Sequence, residues 1–498
     1  MKRFMGFGLV LSLTALTAFF AACSNPSGPS GGINGGTEVN IPTPTPPNDG
    51  FTPVLPGDPN ATVSEQLNYL WLNAAQGGTY VVWARANETL APGYDIGNIN
   101  GNNFTVRIRS FGPNTPPPRR VLTLGSAGTM LNVQGNNTLI LYDIELAGLS
   151  GNTQPLVTVA ADGTLNMENG AVIRDNGGFG VHLLGSASEL NMTRSQIRDN
   201  ARRGVVVNSG GTITMGEGAR VEGNQGGGVV LMGSSLYMEG NAIIYDNYSC
   251  WIANSGLGFG SDWPHQSGGG VSANMSGSVR SSVTMSGTSR IENNRSPAGG
   301  DTIGGGGVML SNSDLIMNDS SRIIGNQALS HNGGGVHLRG TQASTVRMKD
   351  DSRVENNIAA VAGGGLDTRQ ASGRIYLQDR AAVTGNKSFI AGSAMQISPG
   401  TYLFMLDNGV RVHGNTHTTG VGNAQIRLSE NSRFDMAGGI ITAPLGGVAL
   451  SPHADSSARY VYRVDVGNFG APANGYISPA GNAANITAIE VIDGHLQP

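Results

Sequence analysis

Three short sequence signals recur in a fixed order from about residue 160 onward, and this repeat restricts the possible folds more than any other feature of the chain. The first signal is a triplet in which an apolar residue and a Met or Leu flank one variable residue. Its copies are Leu165–Met167, Leu190–Met192, Ile213–Met215, Leu236–Met238, Val283–Met285, Leu315–Met317, Val346–Met348, Ile375–Leu377, Leu403–Met405, Ile426–Leu428 and Phe434–Met436. A period of two is typical of a β-strand that buries one face. Each copy therefore predicts one short strand.

The second and third signals each add a strand to the repeat. The second is Ile/Val-x-x-Asn, and its copies end at Asn176, Asn200, Asn224, Asn247, Asn294, Asn326, Asn357, Asn386 and Asn415. The third is Gly-Gly-Gly-Val-x-apolar or a close variant, clearest at Gly226–Val230, Gly305–Leu310, Gly333–Leu338 and Gly363–Leu366. Each repeat thus holds three short strands.

The spacing of the repeat suits one turn of a three-sided coil. Successive Asn positions differ by 24, 24, 23, 47, 32, 31, 29 and 29 residues. If each strand stacks about 4.8 Å above its copy in the previous coil, three parallel sheets enclose an apolar interior. We predict an all-β fold, a right-handed parallel β-helix with three sheets and about eleven regular coils over residues 160–440.

The nine recurring Asn are predicted to be structural. An Asn at a corner of the coil can adopt the left-handed backbone conformation, and its side-chain amide can hydrogen-bond to the next Asn of the column. Because the Asn recur with the repeat, we expect a ladder and not a catalytic array. The Met and Leu of the triplets are expected to form a buried column, since Met adapts to irregular spacing.

The first 22 residues read as an export signal. Lys2 and Arg3 precede an apolar run that ends at Phe20, and Ala21 and Ala22 precede Cys23. The segment Phe20–Cys23 resembles a bacterial lipobox, which implies acylation of Cys23 and attachment to a membrane; an ordinary signal peptide stays open. The only other cysteine is Cys250, so lipidation of Cys23 leaves no intrachain disulfide.

The segments around the repeat are predicted to be a tether and two caps. Residues 23–60 form a disordered Pro/Gly/Ser tether that spans roughly 30 Å on average. Residues 61–159 form an N-terminal cap and irregular first coils, beginning with a short helix over Thr62–Ala75 whose N-cap is Thr62 or Ser64. Trp71 is expected to pack onto the first coil. Residues 441–498 form a C-terminal cap that covers the other open end.

The composition excludes some partners. The net charge of −4 gives no attraction for nucleic acid. His413 and His417 have a spacing that would suit a metal on a helix, but here they flank a β-helix corner. We therefore expect no metal, no cofactor and no nucleic-acid partner.

The corner after each Asn varies most in length. After Asn247 an insertion carries Tyr248, Trp251, Phe259, Trp263 and His265, and this aromatic insertion is the predicted ligand site. An alternative is that Trp251 and Trp263 only fix the long loop to the side of the helix. Shorter loops occupy the same corner at Arg295–Ile303, Gln327–Asn332, Ile358–Ala362, Lys387–Ile390 and Thr416–Gly420. Aligned loops along one edge are often a binding face in repeat proteins.

The paired Ile-x-x-Asn and Gly-Gly-Gly-Val signals resemble the short motifs of the polymorphic outer-membrane protein family. Together with the lipobox, the tether and the Thr62–Leu67 segment, they are also similar to the β-helix repeat lipoproteins of spirochaetes. The resemblance covers most of residues 60–440. It implies a pectate-lyase-like fold and surface exposure, and we predict an outer-membrane lipoprotein that faces the cell surface or the periplasm. It implies no particular activity.

The residues do not supply the motif set of a polysaccharide-cleaving β-helix enzyme. Only two segments of this chain, Asp350-Asp351 and Val412–Gly414, correspond to motifs of the polygalacturonases. The pairs Asp367/Arg369 and Asp379/Arg380 are interpreted as surface ion pairs. We predict a non-catalytic, adhesin-like scaffold that binds a glycan or a host surface or matrix protein. A polysaccharide lyase or glycoside hydrolase is the first alternative, and a structural coat protein without a ligand is the second. The oligomeric state stays open.

Overall fold

We analysed a computed structural model of the chain. It describes residues 50–54, 58, 60–112, 118–249, 268–296, 304–369, 371–418, 424–429, 432–436, 438–442, 448–452, 461–463, 488–492 and 495–497. In this part of the chain the single helix has 11 residues, and no helix is long and apolar enough to cross a membrane.

Parallel strands stacked coil upon coil form the body, which confirms the predicted parallel β-helix. Sheet 1 contains the first signal. Its strands are Thr52–Pro53, Gly78–Ala84, Phe104–Ser110, Thr138–Tyr142, Thr164–Glu168, Glu189–Thr193, Thr212–Met215, Ser235–Met238, Ser282–Met285, Asp314–Met317, the second half of Val336–Met348, Ala371–Leu377, Thr401–Met405, Arg433–Met436 and Val461–Arg463.

Sheets 2 and 3 contain the second and third signals. The strands of sheet 2 are Glu88–Leu90, Arg120–Leu124, Ile144–Ala147, Val172–Arg174, Gln196–Arg198, Arg220–Glu222, Ile243–Tyr245, Arg290–Glu292, Arg322–Ile324, Arg353–Glu355, Ala382–Thr384, Arg411–His413, Ile440–Thr442, Ala488–Ile492 and His495–Gln497. The strands of sheet 3 are Tyr94–Ile96, Leu131–Val133, Val157–Val159, Val181–Leu183, Val205–Asn208, Val229–Met232, Val271–Asn274, Val308–Ser311, the first half of Val336–Met348, Leu366–Asp367, Met395–Ile397, Ala424–Leu428 and Val448–Pro452.

A fourth, short parallel sheet occupies the corner after the Asn in the later coils, where the sequence predicts only loops. The strands of sheet 4 are Arg295–Ser296, Gln327–Ala328, Ile358–Ala359, Lys387–Ser388 and Thr416–His417. The prediction of three sheets is therefore incomplete. Two-residue strands have no alternation long enough to be recognised in a sequence.

The core is a set of side-chain columns along the axis. The Met or Leu of ten triplets pair in register from Met167 to Met436, and each of these side chains is at most 1% exposed. The triplet Ile426–Leu428 is a correction, because it lies in sheet 3, where Ile426 pairs with Met395. Apolar alternation alone cannot tell sheet 1 from sheet 3.

The helix α1, Val63–Asn73, covers the first coil. Thr62 is the N-cap, since its side chain accepts a hydrogen bond from the Glu65 N–H while the Glu65 carboxylate accepts one from the Thr62 N–H. Leu67 and Leu70 are buried against the coil. Trp71 is 40% exposed, so the prediction that it packs onto the coil is wrong. The helix turns the positions of Leu67, Leu70 and Ala74 toward the coil and leaves Trp71 at the flank.

The far end departs from the parallel pattern. Ala488–Ile492 pairs antiparallel with Ile440–Thr442, and His495–Gln497 pairs antiparallel with Ala488–Ile492. These are the only antiparallel strand pairs in the described residues. They extend the open edge of sheet 2 at its last coil.

Candidate functional site

A continuous ladder of Asn side chains forms the corner between sheets 2 and 3. From Asn200 to Asn386, each side-chain amide donates to the Oδ1 of the next Asn at 2.9–3.0 Å, and that Oδ1 also accepts the backbone N–H of the donor residue at 2.8–3.1 Å. Asn176 joins the ladder through its backbone N–H, 3.2 Å from the Asn200 Oδ1. All nine Asn are at most 1% exposed. The ladder is buried structure, and none of its amides is presented to a ligand.

The left-handed residue at this corner lies one position earlier than predicted. The ladder Asn do not have positive φ. The residues directly before them do, with φ between 49° and 69°: Asp175, Asp199, Gly223, Asp246, Asn293, Gly325, Asn356, Gly385 and Gly414. Asp, Asn and Gly are the residues that tolerate this conformation. The sequence signal was present as the third position of Ile/Val-x-x-Asn, which is always one of these three residues.

Two further residues extend the ladder, and the sequence pattern did not identify them. At the N-terminal end, the Asn152 amide donates to the Asn176 Oδ1 at 2.8 Å. At the C-terminal end, the Asn415 amide donates to the Gln425 Oε1 at 2.5 Å. Asn152 lacks the preceding strand signal, and Gln425 follows the Asn motif by ten residues, so neither fits the repeat.

The glycines of the third signal lie in close contact with the Asn of the second. A Cβ on Gly335 would lie 2.7 Å from the Gly365 carbonyl oxygen and 3.0 Å from the Asn357 amide nitrogen. The equivalent residues make the same approach: Gly180, Gly204, Gly228, Gly270, Gly307 and Gly365. Close contact with the ladder therefore favours Gly at this position, although a later coil has Ala394 there.

Each strand of sheet 4 begins at the residue directly after a ladder Asn. We call the outward-facing residues of these strands, and of the residues that follow them, the variable edge. The outward residues of this edge are Tyr248, Arg295, Gln327, Leu329, Ile358, Ala360, Lys387, Phe389, Ile390, Thr416 and Thr418. The inward side chains of the other strands are small and buried, as at Ser296, Ala328 and Ala359, whereas the last strand has the partly buried His417 there. A small residue two positions after the Asn is the signal that could have predicted this sheet.

Of the predicted aromatic site, the described residues contain Tyr248 only. It forms a parallel bridge with Arg295, so it is the first rung of the variable edge. Trp251, Phe259, Trp263 and His265 lie outside the described residues, as does Cys23. The predicted insertion therefore departs from the first rung of a sheet that continues across five further coils.

The variable edge is apolar with weakly basic flanks. Leu329, Phe389 and Ile390 are 41%, 38% and 54% exposed. The Lys387 ammonium lies 5.5 Å from the centre of the Phe389 ring. No Asp or Glu occurs among the described residues of the edge. The edge can bury apolar surface of a partner, and its described residues offer no carboxylate pair for glycoside hydrolysis.

The acidic residues considered for polysaccharide cleavage lie outside the variable edge, and Asp351 and Asp367 contact neighbouring basic side chains. Arg380 binds both carboxylate oxygens of Asp351 at 2.6 Å and holds the pKa of Asp351 below its usual value, so Arg380 pairs with Asp351 rather than with Asp379. The predicted ion pair of Asp367 with Arg369 is present, with the Arg369 Nε 3.6 Å from the Asp367 Oδ1, but Asp367 is fully buried, so the prediction that the pair lies at the surface is wrong. The Asp367 carboxylate lies 3.0 Å from the His337 Nδ1 and accepts a hydrogen bond from the backbone N–H of Arg369 at 3.0 Å.

These buried groups belong to the outer row of sheet 3, which the glycine-rich corners cover. A Cβ on Gly304 would meet the His337 ring at 2.7 Å, and one on Gly363 would meet the Asp367 side chain at 2.7 Å. In the same row, burial lowers the pKa of His182 to about 4. With these corners packed over them, His337 and Asp367 are at most 4% exposed.

Sheet 1 carries a second partly exposed aromatic surface. The rings of Tyr376 and Phe404 stack with centres 4.9 Å apart, and the Arg347 guanidinium lies 4.7 Å from the Tyr376 ring centre. The ring faces are therefore occupied by neighbours in the stack. This surface stabilises adjacent coils, and it offers a ligand mainly ring edges.

No family model, curated protein or solved structure matches the chain. The described residues contain no group of three or more His, Cys, Asp and Glu that could hold a metal ion.

Proposed function

We propose that the chain is a surface-exposed, lipid-anchored binding scaffold whose variable edge captures a partner. The observation that carries this proposal is the exposure of Leu329, Phe389 and Ile390, which directly follow two strands of the fourth sheet. Large apolar side chains held outward on a regular structure mark an interaction surface more often than a scattered exposed residue does. The outer-membrane location and the kinship with spirochaete β-helix lipoproteins are parts of the same proposal.

A protein partner suits the described edge better than a glycan. Leu329 and Ile390 are aliphatic, and aliphatic side chains bury apolar surface without offering the flat ring that stacks on a sugar. The basic flanks from Arg295 and Lys387 favour a partner with acidic residues around an apolar centre. A glycan stays the alternative ligand for the insertion that carries Trp251 and Trp263.

Substitution of apolar residues on the variable edge should weaken binding to the partner. We expect Phe389→Ala combined with Ile390→Ser to weaken binding to a retained matrix protein at least about tenfold, because these side chains would be central apolar anchors. The measurement is binding of the purified full-length protein to an array of extracellular-matrix proteins and glycans. Tyr237→Ala, which removes a 40% exposed aromatic from sheet 1, is the matched control and should bind normally.

Three outcomes count against this site. If the double variant binds as the unsubstituted protein does, the edge is not the binding face. If only Trp251→Ala and Trp263→Ala lose binding, the insertion alone carries the function. If no protein and no glycan is retained, the scaffold has no ligand of either class, and the coat-protein alternative takes its place.

Lipid attachment at Cys23 has a separate test. Cys23→Ser should abolish incorporation of a radiolabelled fatty acid and move the protein from the detergent phase to the aqueous phase, because the acyl chains supply the membrane affinity. Cys250→Ser is the control and should keep the label. Label that persists in Cys23→Ser would show that this cysteine is not the anchor.

A further inference from the structure

The capping helix α1 leaves a pocket between itself and the first coil. Leu67, Asn68 and Trp71 of α1 line one wall, and the segment Ala91–Asp95 lines the other. The pocket has a volume of about 340 Å³, at the lower end of the range of small-molecule sites. This end of the molecule is remote in sequence from the variable edge, and the edge proposal does not use it.

Hydrogen bonds hold α1 in the orientation that leaves Trp71 exposed. The helix is fixed from below, since the Gln66 side chain donates to the Trp83 carbonyl at 3.0 Å and accepts the Trp83 N–H at 2.9 Å. The Trp71 carbonyl accepts the Ile99 N–H at 3.0 Å. With the backbone held in this way, the indole stays 40% exposed at the pocket wall although burying a Trp would stabilise the fold.

The opposite wall supplies an oriented polar group. The Asp95 Oδ1 accepts hydrogen bonds from the Asn132 and Gln134 side-chain amides, each at 3.1 Å. Both donors belong to the next coil, so the carboxylate is positioned by the body of the β-helix. Tyr94 is held as well, because its hydroxyl hydrogen-bonds to the Ser64 hydroxyl of α1.

We propose that this pocket binds a neutral pyranose sugar, with the apolar face of the ring on Trp71 and its hydroxyl groups on Asp95 and Asn68. An exposed indole beside a carboxylate and an amide combines a flat apolar surface with acceptors and a donor for hydroxyl groups. No cationic side chain lines the pocket, and Asp95 repels uronic acids and sulfated or sialylated sugars. This charge pattern selects neutral over acidic glycans.

The test uses the purified full-length protein in a detergent without a sugar headgroup. The protein is applied to an array of neutral, sialylated and sulfated glycans, and the methyl glycoside of each retained sugar is titrated by ligand-observed NMR. We expect retention of neutral glycans only. Trp71→Ala should raise the dissociation constant at least about tenfold, which corresponds to roughly 1.4 kcal/mol. Asp95→Asn should also weaken binding.

Matched variants distinguish binding in the pocket from binding elsewhere on the protein. Leu72→Ala removes a 53% exposed neighbour on α1 that does not line the pocket and should bind normally. Phe389→Ala should also bind normally, which keeps this site distinct from the variable edge. If Trp71→Ala does not fold by circular dichroism, Asp95→Asn and Asn68→Ala decide the question.

Several results would overturn the proposal. The first is that the protein retains no neutral glycan on the array. The second is unchanged binding in both Trp71→Ala and Asp95→Asn. The third is preferential binding of acidic sugars. Saturable binding of a quaternary ammonium compound such as choline, in place of a sugar, would instead identify a cation site formed by the aromatic rings and Asp95.

Discussion

Replacing Asn326 with alanine is expected to lower the free energy of unfolding by about 3 kcal/mol or more, since several buried polar groups lose their partners at once. The Asn326 side chain accepts the Asn294 N–H and amide at 2.9 and 3.0 Å. It donates to the Ile291 carbonyl at 2.9 Å and to the Asn357 Oδ1 at 3.0 Å. Urea denaturation of the full-length protein measures the loss.

Asn326→Asp tests whether the amide donors matter apart from side-chain size. The carboxylate can still accept from Asn294, but it cannot donate to Ile291 and it faces the Asn357 oxygen. Burial favours the protonated acid, so the folded-state pKa of this Asp is raised above about 3.9. The destabilisation is therefore complete above the folded-state pKa and diminishes as the pH falls through it.

Asn318→Ala, at a partly exposed position directly after the sheet 1 strand of the same coil, is the matched control for both ladder variants. It should cost less than about 0.5 kcal/mol, as surface substitutions usually do. If Asn326→Ala unfolds at the same urea concentration as this control, the ladder does not stabilise the fold.

Replacing Gly335 with alanine is expected to cost about 1–3 kcal/mol, because a core this close-packed cannot accept a further methyl group without a backbone shift. The added Cβ would lie 2.7 Å from the Gly365 oxygen and 2.8 Å from a Val354 methyl. Since the Asn357 amide is also within 3.0 Å, amide hydrogen exchange should accelerate at this part of the ladder.

The chain supplies its own control for the glycine column. Ala394 occupies the position of Gly335 and Gly365 in a later coil, where it precedes Met395. Ala394→Gly should change stability by about 0.5–1 kcal/mol, mainly through the freedom of the unfolded chain. An effect of Gly335→Ala as small as this one would show that the coil can move to admit a side chain.

The sequence determined the coil, the sheets of the three signals and the buried ladder because these features repeat and side-chain periodicity reports them directly. Sheet 4 was missed because each strand has only two residues. The triplet at Ile426 was assigned to the wrong sheet because inward alternation is the same on every side of the coil. The exposure of Trp71 depends on how α1 rotates against the first coil, and no local pattern encodes that rotation.

The candidate site was only partly accessible to the same reasoning. Variation in corner length indicated the edge, but the order of that edge depends on hydrogen bonds between coils, such as Leu329 N–H to the Ser296 carbonyl at 2.9 Å. The pocket beside Trp71 and Asp95 joins residues of a helix with residues at the start of the first sheet 3 strand, and neither segment carries a repeat signal. Asp367 was predicted to be at the surface because the sequence of its own strand does not show that a neighbouring glycine-rich corner packs over it.

The ladder makes the corner after each Asn a natural grafting point. Asn224 and Asn247, 23 residues apart, are joined by an amide hydrogen bond of 2.9 Å, and Asn247 and Asn294, 47 residues apart, are joined by one of the same length. The register therefore does not depend on how much chain leaves the corner. A foreign peptide inserted there should therefore be displayed without a change in the register of the coils on either side.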